Sequence, residues 1–140
     1  MSLIPAIRNI LLGVPELTAL VGNRVMPGVF DEDVEVPAVM MYVPYGEPHD
    51  CLSGGVGMET ANLRVECVSK IYQQSYEVWA IVNKALSKDF VPGLYTGCSI
   101  SGIYQTDGHL VIPDRPLDGS DEWIYRTIQS FNVSYHLYEV

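Results

Sequence analysis

The chain has 140 residues, 48% of them hydrophobic and 18% charged, and its 17 acidic against 8 basic residues give a formal charge of −9. That length fits one domain burying about 68% of its unfolded surface, and the apolar content excludes a disordered chain. The acidity argues against a protein that grips DNA or RNA, because like charges repel, while leaving room for nucleic acid that must pass without sticking.

Residues 3–12 read as a short helix with Ser2 as its cap, since Leu3, Ile7, Ile10 and Leu11 share a face and Gly13 stops the run. Pro15 and Glu16 occupy preferred first-turn positions of a second short helix, in which Leu17, Leu20 and Val21 are apolar and Gly22 is the terminator. Arg24 to Val29 is a short extended piece, followed by the acidic stretch DEDVEVP at 31–37. AVMMYVPY, residues 38–45, is apolar on both faces, as a covered strand requires, and Pro44 marks its end. GEPHDCLSGGVG is a loop by composition.

Met58 to Val68 alternates, with Ala61, Leu63, Val65 and Cys67 on one side and Thr60, Asn62, Arg64 and Glu66 on the other, which predicts a strand with one covered face. Ser69 then caps a helix over about 70–87, whose Tyr72, Tyr76, Trp79, Val82 and Leu86 recur at helical spacing and predict the buried stripe. Residues 97–111 read as a strand or pair of strands with a bulge at Gly102. IPDRPLDGSDEWIY, residues 112–125, is an acidic, turn-rich connection. The run from Trp123 to Tyr138 alternates in its second half through Phe131, Val133, Tyr135 and Leu137, while Ile124, Arg126 and Ile128 have the opposite phase, which predicts a bulge near Ser130. The expected class is therefore α+β: a single domain over 1–140, with a mainly antiparallel sheet of four to five strands, one long helix packed on a face, and two short N-terminal helices.

Candidate chemistry fails on spacing. Counted as a calcium loop from Asp114, Asp118 and Gly119 fall at the fifth and sixth positions, but Pro116 offers no side-chain ligand at the third and Tyr125 replaces the bidentate glutamate at the twelfth. SGGVGMET lacks the third glycine of a phosphate cradle and leads into a strand instead of a helix N-terminus. His49, Asp50, Cys51 and Ser53 are close in sequence, yet adjacent residues of an extended loop point apart, and Ser53 lacks a nucleophile elbow. His109 and His136 have no partner at metal spacing, and Asn132-Val133-Ser134 matches a glycosylation signal inside an expected strand. No catalytic residue, metal ligand or cofactor site is assigned. The three cysteines, Cys51, Cys67 and Cys98, are widely spaced without a C-x-x-C, which argues against a disulfide framework or zinc cage and for a reducing compartment. The first residues lack the basic region of a signal peptide, and the longest uncharged run, Phe90 to Thr106, is broken by proline and glycines, so no membrane association is expected. Nine tyrosines and two tryptophans stand out instead, and such residues serve cores and interfaces alike.

The order LTALVGNRVMPGVF, then VPAVMMYV, then LSGG leading into ANLRVECVSKIYQQSYEVWAIVNKAL, resembles the tail-completion or tail-terminator family of long-tailed bacteriophages. The matching features are the turn at Leu20, Gly22, Asn23 and Arg24, the proline-led strand Pro37 to Val43, the strand and helix carrying Arg64, Glu66, Tyr76, Ala80, Val82 and Leu86, and the closing strand Tyr125 to Tyr138. The stretch 107–122 is longer and more acidic than that family's pattern. The resemblance implies a non-enzymatic virion protein at the head-proximal end of the tail, assembled in the host cytoplasm. It implies a ring, typically of six subunits, that caps the tail tube and docks the head-tail connector protein while DNA passes through unbound. On that reading His49, Asp50, Leu52, Pro113, Asp114, Arg115, Leu117, Asp118, Asp121 and Glu122 are expected to contact a neighbouring subunit or the tube. Asp31, Glu32, Asp33 and Glu35 are expected to line the lumen, where negative charge keeps DNA from adhering. The rival readings are another neck component, such as a head-closure or adaptor protein, and a monomeric enzyme or ligand module centred on His49, Asp50 and Cys51.

Overall fold

A computed structural model describes residues 3–28, 35–44, 59–114 and 123–137. In chain order these form α1 (Leu3–Leu12), α2 (Pro15–Val21), β1 (Val25–Pro27), β2 (Ala38–Tyr42), β3 (Glu59–Ser69), α3 (Tyr72–Asn83) with a π-type turn Lys84–Lys88, β4 (Gly93–Tyr95), β5 (Cys98–Gln105), β6 (Leu110–Asp114) and β7 (Ile124–Leu137). The class is α+β as expected, but the sheet has seven strands in the order β1-β2-β3-β7-β5-β4, with β6 also on β7, and it is mixed because β1 runs parallel to β2. This corrects the expectation of a four- to five-stranded, mainly antiparallel sheet. Val25–Pro27 falls within the short extended piece expected over 24–29, whereas Gly93–Tyr95, three residues long, is too short for a period of two to register in the sequence.

β3 and β7 form the spine, pairing without interruption from Glu59↔Tyr135 to Ser69↔Tyr125. No bulge interrupts that pairing at Ser130; the bulge lies in β5, where the register with β7 shifts between Ile100 and Gly102. The change of phase along β7 has another cause. Phe131, Val133 and Tyr135 face the helices, whereas Ile124 joins Met40 and Val68 in a small apolar cluster on the opposite face. At that end of the strand the helix-facing positions hold buried Thr127 and Gln129, and the apolar Ile124 lies on the other face.

The main core lies between the sheet and the helices. Leu3, Ala6, Ile7 and Leu11 of α1 and Leu17 and Val21 of α2 are fully buried against Val39, Met41, Ala61, Leu63, Val65 and Cys67. The alternation read over β3 thus selects the core face correctly. Gly22 closes α2 at φ 61° and ψ −128°, a conformation that side chains resist, and its N–H donates to the Thr18 carbonyl. Two arginines tie this region together: Arg8 Nε donates to the Val25 carbonyl at 2.6 Å and Arg24 Nε to that of Pro37 at 2.9 Å. No single helix among the described residues is long and apolar enough to cross a membrane.

Ser69, the expected cap, is instead the last residue of β3, and α3 begins at Tyr72 with Ile71 as its N-cap and no side-chain cap bond; the Ser69 Oγ accepts from the Ile71 N–H at 3.1 Å and donates to Gln74 at 2.6 Å. The buried face of the helix is only partly the one predicted: Val82 and Leu86 are buried as expected, but Ser75 and Val78 take the inner positions instead of Tyr72 and Tyr76. Ser75, Val78, Val82 and Leu86 point into the core, while Tyr72 is 50% and Tyr76 38% exposed and Trp79 is half-buried. Two stripes at helical spacing coexist in this sequence, and the spacing is satisfied by either. The inner one is chosen because Ser75 finds a partner in the sheet, its hydroxyl lying 3.2 Å from that of buried Thr127. The bulkier aromatic stripe is left for the outer flank.

Candidate docking surface

Displaced from the core, the aromatic residues of α3 meet the last two strands. Tyr72 packs edge-on to Tyr125, with ring centroids 5.8 Å apart. Trp79 stacks on His109 at 4.1 Å, and Tyr76 touches both rings, at 5.2 Å from Trp79 and 5.7 Å from His109. The Trp79 indole N–H donates to Gln129 Oε1 at 3.4 Å, and the Gln129 amide in turn donates to the Asp107 carbonyl at 2.6 Å. Gln129 is almost wholly buried, so this chain fixes the segment between β5 and β6 beneath the rings. Ile71, Tyr72, Tyr76 and Trp123 are among the exposed large apolar residues, whereas Leu110, also exposed, pairs with Ile128 and so points to the other face of the sheet. Exposed apolar surface marks interaction sites, and tyrosine and tryptophan are the residues such sites favour.

The opposite sheet face carries a polar group of its own. Glu66 is 3% exposed, and its Oε1 receives Arg126 Nη1 at 3.5 Å and the Tyr42 hydroxyl at 3.4 Å. Its other oxygen has no hydrogen-bond partner among the described residues, and the Arg64 guanidinium sits 5.9 Å over the Tyr42 ring. Among the described residues, Arg126, Arg64 and Glu66 lie together on this face of the sheet, Arg126 paired with the carboxylate and Arg64 over Tyr42. A third feature, a shallow cleft of about 220 Å³, lies between α1, α2 and the π-type turn, floored by Ile10, Val14, Ile81 and Phe90. Its rim carries Glu16, Lys84 and Asp89, the last two paired at 3.8 Å and exposed.

Of the interface residues expected from sequence, Pro113 and Asp114 belong to β6, paired with Tyr125 and Ile124 of β7, so this part of the acidic connection is strand. His49, Asp50, Leu52, Arg115, Leu117, Asp118, Asp121 and Glu122 lie outside the described residues, as do Asp31, Glu32, Asp33, Cys51 and Ser53. Glu35 is exposed just ahead of β2. Sequence reasoning missed the ring cluster as a surface because it placed Tyr76 and Trp79 on the buried stripe and read His109 within the strand-like run 97–111, whereas His109 lies in the connection between β5 and β6. Cys67 is fully buried and its thiol is pushed far above the usual range by burial, with the Glu66 carboxylate adding to the effect, which disqualifies it as a nucleophile. Cys98 is buried as well.

No protein-family model matches the chain, and no curated protein matches it by sequence. Among solved structures it is similar to a chain described as "Virion of native gene transfer agent (GTA) particle", with a TM-score of 0.63 at 17% identity, covering 96% of this chain and 94% of that one. The two chains share a fold over nearly their whole lengths.

Proposed function

We propose that the protein is a virion structural component that caps the head-proximal end of a phage-type tail tube as an oligomeric ring. The ring ends tube growth, presents a face to the head-tail connector protein, and lets DNA pass without binding it. The observation that carries this reading is the fold shared end to end with a chain of a virion particle. The order of sequence motifs that resembles tail terminators supports the more specific role. The exposed aromatic surface beside β6 supplies what an assembly protein needs, large rigid side chains already held by their neighbours, so that little conformational entropy is lost on docking. Action is by shape and edge complementarity, with no cofactor and no covalent chemistry. Net charge of −9 per copy, multiplied around a ring of six subunits, disfavours adhesion of DNA.

The test is assembly in the absence of the protein. Electron microscopy of particles lacking it should show tails of uncontrolled length that fail to join heads, and purified protein added back should restore normal joining. Normal tails joined to heads in its absence would sink the proposal. Purified protein that binds isolated connector and ignores tube ends would favour a head-closure or adaptor role, which the same fold likeness supports equally.

A further inference from the structure

We propose that copies of this chain join head to tail along α3. The exposed tip that opens the helix, Lys70, Ile71 and Tyr72, seats in the apolar cleft beside the π-type turn of the next copy. This supplies the self-contact that a ring requires, and to that extent rests on the ring reading above.

Each end of α3 departs from what the helix needs for its own stability. At the start, Ile71 holds the N-cap position with no side-chain cap bond, where serine, threonine or aspartate would satisfy a helical N–H. It is 60% exposed and Tyr72 is 50% exposed, so two large apolar side chains in succession are left in water. At the other end the helix widens into the π-type turn Lys84–Lys88, closed by the Asp89 N–H donating to the Lys84 carbonyl at 2.8 Å. Such turns are frequent at functional sites. Here the turn borders the cleft shared with α1 and α2, in which Ile10, Ile81 and Phe90 are apolar lining. The walls are held without an occupant: Phe90 packs on Tyr95 with ring centroids 5.6 Å apart, the Tyr95 hydroxyl donates to the Val91 carbonyl, and Asn9 Nδ2 donates to Thr96 Oγ1 at 2.7 Å.

Size and charge select the tip of a second copy as the occupant. At about 220 Å³ the cleft is smaller than the roughly 300–1,000 Å³ of small-molecule sites, and it suits one or two anchoring side chains of a protein. Its rim carries two carboxylates, Glu16 and Asp89, against one ammonium, Lys84, whose pairing with Asp89 is long at 3.8 Å and exposed. From Ser69 to Tyr76 the tip has Lys70 as its one charged residue. A positive tip thus meets a rim with an excess of negative charge, which orients the apolar side chains toward the floor. The contact cannot form within one chain, because α3 rises about 18 Å from Tyr72 to Lys84 and holds tip and cleft apart. A contact between two different surfaces is heterologous, the type that closes into a ring when the rotation is right. The Tyr72 ring is already oriented by Tyr125, edge-on at 5.8 Å, so docking costs it little freedom.

Carbodiimide coupling of the full chain tests this, since it joins an amine to a carboxylate only where the two touch. In concentrated purified protein and in assembled particles, mass spectrometry of digests should find Lys70 joined to Glu16 or Asp89, with a ladder of covalent oligomers on gels. Lys70→Gln should lose the ladder, and so should the double variant Glu16→Gln, Asp89→Asn. An equimolar mixture of those two chains should regain the link and stop at a dimer. Tyr72→Asp should lower the yield by about tenfold or more, as loss of an aromatic anchor does. Lys70 coupled instead to a different carboxylate of a neighbouring copy would overturn the proposal and assign the ring to another surface. Absence of any link between copies in both preparations would overturn it as well, as would coupling of Glu16 and Asp89 to a tube or connector protein in place of Lys70. Linked rings that fail to cap tails would refute the tail-cap function and leave this interface standing.

Discussion

An aspartate placed on each of the two stripes of α3 separates the face that sequence periodicity selects from the face that the fold buries. Val78 is 0% exposed and packs in the main core, whereas Tyr72 is 50% exposed and is the first residue of the helix. Val78→Asp forfeits about 1.5–3 kcal/mol of side-chain burial and forces a carboxylate into an apolar layer at a further cost of several kcal/mol. The sum is about 5 kcal/mol or more, comparable to the entire stability of a typical domain. Tyr72→Asp loses an exposed edge-to-face contact with Tyr125 worth about 0.5–1.5 kcal/mol. It recovers about 0.3–1 kcal/mol because a negative charge in the first helical turn opposes the helix dipole. Urea unfolding followed by circular dichroism should therefore find the Val78→Asp chain largely unfolded without denaturant. The Tyr72→Asp midpoint should lie within about 0.5 M of the parent, taking a denaturant slope of about 2 kcal/mol per M. A folded Val78→Asp variant alongside an unfolded Tyr72→Asp variant would refute the assignment of the helix faces.

Gly22→Ala forces a Cβ onto a residue at φ 61°, and a loss of about 1–3 kcal/mol is expected from backbone strain alone, since space is available around it; an unchanged melting midpoint would show that the helix end adopts another conformation. Cys67 and Cys98 should resist alkylation in the native state even at pH 9, because both are buried and the Cys67 thiolate is strongly disfavoured there. Peptide mapping after iodoacetamide treatment should find both modified only when denaturant is present, and native labelling at Cys67 would contradict its placement.

The periods of two and of about 3.6 residues were enough to find β3, the second half of β7 and all three helices. Those signals record how a chain buries one side of a regular element, and they are local. The same locality explains where the sequence misleads. α3 has an aromatic stripe and a smaller inner stripe at the same spacing, and only the sheet beneath, which offers Thr127 to Ser75 and space shaped for Val78 and Val82, decides between them. The bulge expected at Ser130 was a fair reading of a phase change, but Ile124 is apolar because a second cluster covers it from the other side of the sheet. The strand expected up to residue 111 continues through Asp114, into the stretch read as an acidic, turn-rich connection, because β7 extends past the end of β5 and provides an edge to pair with. The joining of Tyr76, Trp79 and His109 into one surface depends on contacts between residues about thirty positions apart, which no pattern within a single element encodes. Composition alone set the acidity and the abundance of tyrosine; tertiary packing alone decided which of the described tyrosines were left outside.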